Sequence, residues 1–503
     1  SAIPEPSTPA RLVLGIAELD RALQGRTDLD LAAQEREDGF VVERFRLGNP
    51  QLTAEGQGSF GTQLDAEFTL DIPSLTALRP EFSGALHATA RATGQAGERR
   101  IGVTGSGEDL RLGQQDLDGA LTGTTDFRLA ALQKGDVITI DELRLTNAQM
   151  AANVAGVWGE NVADLAGHAE IRSLAAFGRG WRGALELDGS LRDDGTGQRL
   201  FQLDGTGQDL SLGQDAVDGA LAGETRLSVR GSQRGEVVTI ERAVLDNASA
   251  SADVAGSIGN GQTNISGKLD LRDLSAFGMG WRGSFAATGS FADDGTGVRR
   301  LVVDGLGRDL SLGQAQADAA LAGETRLTLR GSERAGVLTL EQAVLDNPRL
   351  HATAQGTLGG GGTDVTADLR ADSLAFLGNG IGGSVTATGR LTDAQGGRRI
   401  TANGQADGLR VGNPQADLLL AGTTIFDLAA LLPARGPVAI ERLNARNGQL
   451  SIRAEGSAQA LNLDASLANL ALLVPGLPGA ATVTGSVRQG AGGYALDLAA
   501  TAP

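Results

Sequence analysis

Residues 181–197 read WRGALELDGSLRDDGTG, and residues 281–297 read WRGSFAATGSFADDGTG. In the first stretch, apolar and polar side chains alternate with a period of two, which predicts a β-strand with one apolar and one polar face. The apolar positions are Leu185, Leu187 and Leu191. Asp193-Asp194-Gly195 then predicts a hairpin turn, because glycine supplies the positive φ that such a turn requires.

Other phrases also return at a spacing of 100 residues. Residues 210–214 (LSLGQ) recur at 310–314, and residues 244–247 (VLDN) recur at 344–347. This spacing hardly drifts, which is typical of stacked units that share one continuous surface. The predicted organisation is a linker and partial β-repeat at 1–80, β-repeat units at 81–180, 181–280 and 281–380, a diverged unit at 381–479, and the start of a further truncated repeat at 480–503.

Two irregularities in the pattern predict a curved sheet with short helices between the units. The alternation slips once where Ile240 is followed by Glu241-Arg242 before Val244 and Leu245, which predicts a one-residue β-bulge that bends the sheet. A capping residue precedes a short apolar run at 173–178, 273–278 and 372–376, as it does in a helix of one or two turns. The sequence therefore predicts an all-β, elongated repeat protein with a curved, U-shaped antiparallel sheet and short crossover helices between units of about 100 residues.

The formal net charge of −18 and the absence of cysteine exclude several classes of protein. Nucleic acid and anionic membrane surfaces both favour a basic face, so neither is an expected partner. Zinc sites built on cysteine are impossible. A P-loop is excluded because Lys134 and Lys268, the only lysines, do not lie in glycine-rich loops followed by Ser or Thr.

No constellation of residues indicates an enzyme. The three histidines have unrelated sequence contexts and are predicted to be surface or strand-end residues: His87, His168 and His351. Asp193-Asp194 precedes glycine and recurs 100 residues later, which favours turn formation over catalysis. The glycine run at 359–364 lacks the ladder of oxygen ligands of a calcium site. We therefore expect no catalytic residue, no metal site and no cofactor.

The apolar face of the predicted sheet is the candidate site. Its side chains are small aliphatic residues and glycine, which cannot fill a wide interior, so a U-shaped sheet would keep a groove of acyl-chain width. The alternative is a β-rod, as in secreted filamentous adhesins, whose aliphatic side chains pack against one another. The amino-acid composition does not discriminate between an open groove and a packed β-rod. The residues predicted to line a groove are Met150, Ala152, Val154, Leu185, Leu187, Leu191, Phe201, Leu203, Leu227, Val229, Ile240, Val254, Ile258, Phe285, Phe291 and Leu340.

The tryptophans have a second interpretation beside groove lining. Trp158 continues the alternation that begins at Met150, so it belongs to the apolar face. Trp181 and Trp281 each precede Arg-Gly at a predicted unit junction. We expect these two to be structural anchors.

Three repeated phrases carry a resemblance to a known family. Residues 273–297 (DLSAFGMGWRGSFAATGSFADDGTG), 309–331 (DLSLGQAQADAALAGETRLTLRG) and 338–358 (LTLEQAVLDNPRLHATAQGTL) resemble the degenerate β-repeats of the TamB family, the AsmA-like envelope proteins of Gram-negative bacteria. The similarity extends from about residue 11 to residue 500. It lies in the style of the repeats, so it transfers no individual functional residue.

The resemblance implies both a fold and a function. Members of this family resemble bridge-like lipid-transfer proteins, with a β-taco whose hydrophobic groove carries phospholipid acyl chains across the periplasm. The implied role is the translocation and assembly module: phospholipid transport, outer-membrane biogenesis and secretion of autotransporters. The implied partners are phospholipids, a TamA-like outer-membrane barrel and the inner membrane through an N-terminal anchor. We expect that anchor and the TamA-binding region to lie outside residues 1–503.

Overall fold

The computed structural model describes residues 21–502, with the exception of 161, 179, 361, 458, 491 and 492. The chain divides into two compact units, of which the first ends at Ser251 and the second begins at Ala252. The linker predicted around Pro4, Pro6 and Pro9 lies outside the described residues.

Thirty antiparallel strands assigned to one sheet account for most of the described chain. In the first unit they are β1 (Asp28–Arg36), β2 (Gly39–Asn49), β3 (Leu52–Gly61), β4 (Gln63–Ile72), β5 (Ser83–Gln95), β6 (Glu98–Arg111), β7 (Thr124–Lys134), β8 (Val137–Thr146), β9 (Met150–Gly159), β10 (Val162–Ile171), β11 (Arg182–Asp193), β12 (Arg199–Ser211), β13 (Glu224–Arg234) and β14 (Val237–Asn247). Each strand from β1 to β13 pairs with the next one in sequence.

The second unit continues the same pattern. After β15 (Ala250–Gly259), which begins two residues before the unit boundary, come β16 (Gln262–Leu271), β17 (Arg282–Asp293), β18 (Val298–Ser311), β19 (Glu324–Arg334), β20 (Val337–Asn347), β21 (Leu350–Leu358), β22 (Asp364–Ala371), β23 (Ile381–Ala394), β24 (Gly397–Val411), β25 (Thr423–Pro433), β26 (Ala439–Arg446), β27 (Leu450–Ser457), β28 (Ala460–Leu467), β29 (Ala481–Gly490) and β30 (Gly493–Thr501). The prediction of an all-β antiparallel repeat protein is confirmed.

The two ends of the strands have different connections. Because neighbouring strands run in opposite directions, every second connection lies at the same end. The end with tight turns, such as 134–137 and 193–199, is called the hairpin end. The other, called the crossover end, carries the short helices α1 (Gln115–Asp118), α2 (Asp215–Asp218), α3 (Ala315–Leu321) and α4 (Pro414–Leu419), and 3₁₀ helices at Leu75–Ala77, Leu174–Phe177, Gly219–Leu221, Leu274–Phe277, Ala375–Leu377 and Leu470–Leu472. Among the described helices, none has the length and apolar character needed to span a bilayer.

The predicted crossover helices are present, but their caps differ. Asp273 caps its 3₁₀ helix by accepting a hydrogen bond from the Ser275 amide at 2.9 Å. Ser173 makes no such bond, so its predicted capping role is wrong. In the third copy, the Ser373 hydroxyl accepts a hydrogen bond from the Ala375 amide at 3.3 Å.

The helices α1 to α4 form a second recurrent helical element that the sequence pattern did not predict. Helix α2 has only four residues, and Gln214 at its start makes no side-chain cap bond. It therefore offers neither a helical period nor a capping signal. Its carboxyl-terminal residue Asp218 instead accepts a hydrogen bond from the Leu212 amide at 2.7 Å, which closes the connection from β12.

The buried core of the first unit lies at the crossover end. Leu174, Leu210 and Leu221 are each under a tenth exposed and form one cluster. The partly buried side chains packed against this cluster are Ile171, Phe177, Trp181, Leu185, Val217 and Leu245. Burial of each large aliphatic side chain contributes about 1.5–3 kcal/mol, so the helices and strand ends hold each other in place.

A buried asparagine recurs at the crossover end in both units. Asn247 Nδ2 donates hydrogen bonds to the Ala220 carbonyl at 2.6 Å and to Thr225 Oγ1 at 3.3 Å. Its Oδ1 accepts hydrogen bonds from the Ser249 and Ala250 amides at 2.9 and 2.8 Å. The equivalent asparagines make corresponding bonds at Asn49, Asn147, Asn347 and Asn447. One side chain therefore ties the turn between two strands to the preceding helical crossover.

The predicted bulge is also present. Arg230 pairs with Arg242, but Gly231 pairs with Ile240, so Glu241 is the extra residue in β14. Strand β20 in the second unit has the same one-residue register shift. The extra residue bends the strand. It also shifts the alternation by one, so the residues on the apolar side have even numbers before the bulge and odd numbers after it.

The lowered pKa values of Asp218 and Asp318 predict that the crossover end loses stability at acidic pH. The pKa of Asp218 is lowered from its ordinary value of 3.8, mainly by the hydrogen bond from the Ser211 hydroxyl, and that of Asp318 is lowered mainly by the bond from the Leu312 amide. A lowered native pKa gives stability that is present above 3.8 and is lost as the pH falls through the native value. We expect thermal unfolding followed by circular dichroism to shift to lower temperature in this acid range.

Asparagine at both positions provides the control, because it keeps an acceptor oxygen and removes the titrating group. The double variant Asp218→Asn, Asp318→Asn is expected to lose less stability between neutral pH and the acid range than the parent chain. An equal acid sensitivity in the two proteins would contradict this assignment.

Candidate functional site: the apolar face

The strand register places the predicted groove residues of the first unit on one face of the sheet. Directly opposed residues share a face, and Ala152 opposes Ala169, which opposes Leu187 on the next strand. The same rule applied from β9 to β14 places every first-unit candidate on this side, called the apolar face. These candidates are Met150, Ala152, Val154, Leu185, Leu187, Leu191, Phe201, Leu203, Leu227, Val229 and Ile240.

The candidates of the second unit follow the same rule within that unit. Phe285 and Phe291 lie on one side of β17, and the register carried through β18 and β19 places Leu340 of β20 on that side. Val254 lies beside Gly267, which opposes Gly289 on the same side of β17. Ile258 is four residues after Val254 on β15 and therefore shares its side.

In the described part of the chain, the predicted groove residues along the middle of the apolar face remain accessible. None of the sixteen candidates is buried: Leu203 and Ile258 are 36% and 44% exposed, and the others are half-buried. Glu186, Asp188 and Ser190, on the opposite face of β11, are exposed. Packed helices bury the crossover end of this face, and the small residues Ala66, Ala131 and Ala163 are also buried nearer the hairpin end.

Glycines on neighbouring strands leave room for large side chains of the apolar face to lie flat against the sheet. A Cβ atom at Gly205 would lie 2.5 Å from Cδ2 of Leu187, and one at Gly231 would lie 2.7 Å from Cζ of Phe201. Each large side chain therefore lies across a glycine of the adjacent strand. Side chains that lie flat leave the space above them free, so the glycine rows help to keep the face open.

An apolar cavity of about 470 Å³ opens on this face in the first unit. Its lining includes six predicted residues: Ala152, Val154, Leu187, Leu191, Phe201 and Leu203. Binding sites for small molecules commonly have this size and an apolar lining. The cavity offers contact to hydrocarbon and few groups that would orient a polar substrate.

A larger cavity of about 880 Å³ lies on the polar face of the second unit. Its lining includes Asp427 and Arg370, which already pair with neighbouring side chains: Arg442 with Asp427 and Arg370 with Asp372, both at 2.8 Å. Its lining is largely charged and polar, so it offers less contact to hydrocarbon than the apolar face does. We therefore place the candidate site on the apolar face despite the larger volume here.

Asp194 and His168, two of the polar residues considered for catalysis, take structural positions. Asp194 accepts hydrogen bonds from the Thr196 amide at 2.8 Å and the Thr196 hydroxyl at 2.7 Å, as expected of a turn residue. His168 lies on the exposed face of β10, where a hydrogen bond of 2.9 Å with Asp188 raises its pKa. In the described residues, no group of three or more His, Asp or Glu side chains is placed to hold a metal ion.

The tryptophans occupy different places on the sheet. Trp181 packs against the buried crossover cluster, which agrees with its predicted role as an anchor. Trp281 precedes β17 and is half-buried. Trp158 lies on the apolar face near the hairpin end, with the guanidinium of Arg199 5.6 Å from its ring centroid.

The fold and this face define an all-β repeat protein with an open apolar sheet surface. Comparison with protein-family profiles and with curated proteins gives no match for this chain.

Proposed function

We propose that this chain is a non-enzymatic lipid-transfer protein whose apolar face holds the acyl chains of phospholipids. The observation that carries the proposal is that none of the sixteen predicted groove residues is buried. An aliphatic surface that no second layer covers is a recognised sign of an interaction site. Linear hydrocarbon fits a low, continuous strip of Leu, Val, Ala and Gly.

The energetics of binding favour an acyl chain over a compact ligand. Each methylene that leaves water contributes about 0.8 kcal/mol. The contact is non-directional, so a chain gains similar energy at successive positions along the face. A face without oriented polar groups would therefore retain a lipid while letting it slide, as a transfer bridge requires.

The adhesive β-rod is less well supported by the same observation. A rod stabilises itself by packing its apolar side chains shut, so residues such as Leu187 would be buried. Leu187 is half-buried instead, and the buried leucine cluster of the first unit lies at the crossover end. The exposed fraction of these side chains therefore favours the groove.

The TamB-like repeats extend the proposal to a cellular setting. In this setting the chain belongs to an inner-membrane-anchored protein in the periplasm of a Gram-negative bacterium. It carries phospholipid towards the outer membrane, where a TamA-like barrel is the partner. Outer-membrane biogenesis and autotransporter secretion are the processes that it serves.

Photo-crosslinking tests the proposed contact with lipid. A photoreactive amino acid is placed at Leu187, on the apolar face, or at Glu186, the adjacent residue on the polar face. Each protein is incubated with phosphatidylethanolamine vesicles, irradiated and analysed by mass spectrometry. We expect lipid adducts at Leu187 at least about tenfold above those at Glu186, because the Leu187 side chain contacts the hydrocarbon.

The two positions share one strand, so a difference between them reports the face. Equal labelling at Leu187 and Glu186 would indicate non-specific contact with vesicles. Absence of lipid at both positions would contradict the proposed function.

A further inference from the structure

The apolar face ends in a charged row at the hairpin end. In β11 the four rows from Leu185 to Leu191 are uncharged, and the next row places Asp193 opposite Arg199 of β12. The opposite limit of the face, at the crossover end, is closed by helices in the first unit. A lipid whose tails lie along the strands, with its headgroup beyond the strand ends, would therefore place that headgroup at the hairpin end.

This charged row, called the rim, recurs with both signs of charge. In the second unit, Asp293 opposes Arg299 and Asp393 opposes Arg398. In the first unit, Arg99 occupies the equivalent position, although Gly94 opposes it. The rim thus joins carboxylates and guanidinium groups in nearly equal number, whereas the whole chain has a net charge of −18.

The rim arginines are exposed, whereas Asp193 and Asp293 are half-buried, with the Asp293 side chain 22% exposed. Arg299 is 59% exposed, and it contacts Asp293 at 3.3 Å and Glu333 at 3.5 Å. Arg199 lies over the Trp158 ring, beside the apolar face. Exposed ion pairs of this kind contribute little stability, so a headgroup can replace one partner at small cost.

We propose that the rim selects zwitterionic phospholipid headgroups over anionic ones, an inference that rests on the proposed lipid-transfer function. A phosphate accepts charge-assisted hydrogen bonds from a rim arginine, and the headgroup ammonium pairs with the opposed aspartate. An anionic headgroup, whose only charge is on the phosphate, meets the same arginine but has no ammonium group to pair with the neighbouring aspartate. The aspartate then repels the phosphate. Such a repulsive element discriminates against the wrong ligand.

Competition between two lipids with identical acyl chains tests this inference. The full chain is incubated with vesicles of equal parts phosphatidylethanolamine and phosphatidylglycerol, separated from them and extracted for mass spectrometry. We expect bound phosphatidylethanolamine to exceed phosphatidylglycerol by about threefold, consistent with the modest energies of exposed ion pairs. The triple variant Asp193→Asn, Asp293→Asn, Asp393→Asn is expected to lose this preference.

A matched triple variant on the polar face controls for total charge. Asp164, Asp304 and Asp364 each pair with an arginine of a neighbouring strand on that face. Their replacement by asparagine removes the same charge and should leave the lipid ratio unchanged. Circular dichroism checks that all three proteins are folded.

The possible outcomes separate the two proposals. Lipid bound in the vesicle ratio, or enriched in phosphatidylglycerol, overturns selection by the rim and leaves lipid transfer intact. An equal loss of preference in the two triple variants also overturns it, because total charge would then explain the ratio. Absence of both lipids from the parent chain overturns the proposed function and this inference together.

Discussion

Asn247→Ala is expected to destabilise the crossover end of the first unit by roughly 3 kcal/mol. The substitution removes two donated and two accepted hydrogen bonds at a buried position. It leaves the Ala220 carbonyl and the Ser249 and Ala250 amides without that partner. Buried polar groups without partners cost about 1–3 kcal/mol each, and local water entry would reduce the sum.

Hydrogen exchange is the sharpest measurement for this variant. The Ser249 and Ala250 amides donate to Asn247, so their exchange is expected to accelerate more than that of β11 amides. The control is Asn264→Ala, because Asn264 is exposed on β16. Unchanged exchange at Ser249 and Ala250 would show that the asparagine does not hold this turn.

Leu187→Arg is expected to reduce lipid contact at Leu203 at least about tenfold while the fold persists. Leu187 and Leu203 line the same apolar cavity. An unpaired charge beside hydrocarbon costs several kcal/mol, and 1.4 kcal/mol already corresponds to a factor of ten. Each repeat contacts its neighbours, so a half-exposed substitution should leave the rest of the sheet intact.

Lipid adducts at a photoreactive residue in position 203 measure this effect. Leu187→Asp is the second variant, because aspartate is too short to carry its charge away from the face as arginine does. The control is Glu186→Arg, which introduces the same side chain on the polar face of β11. Wholesale unfolding of both Leu187 variants would instead indicate a packed interior, and undiminished adducts would contradict the groove.

The identity of the apolar face could be predicted from local sequence, because strand side chains alternate with a period of two. The alternation at Met150, Ala152 and Val154 was sufficient to assign the face of β9, and the face of β14 was assigned as far as Ile240, before the bulge. The turn at Asp193-Asp194-Gly195 was equally local, and Gly195 has a positive φ of 76°. Such features depend on the backbone of a few neighbouring residues.

The openness of the face and the second helical element could not be predicted in this way. Openness depends on whether a second layer covers the sheet, which no single strand encodes. The flat position of Leu187 over Gly205 depends on the register between two strands, although glycine recurs at 105, 205 and 305. The network of Asn247 likewise joins residues 22 to 27 positions apart.

The even number of strands in each repeat has an evolutionary consequence. After the six strands β17 to β22, the chain has returned to the crossover end, where β17 began. It returns there again after the six strands β23 to β28. A gene segment encoding six strands can therefore be duplicated or deleted without reversing the following strand or exchanging its two surfaces. Loss of a single strand would reverse the direction of the following strand and exchange its two surfaces. The protein can thus lengthen or shorten by whole modules during evolution while its apolar residues stay on one side of the sheet.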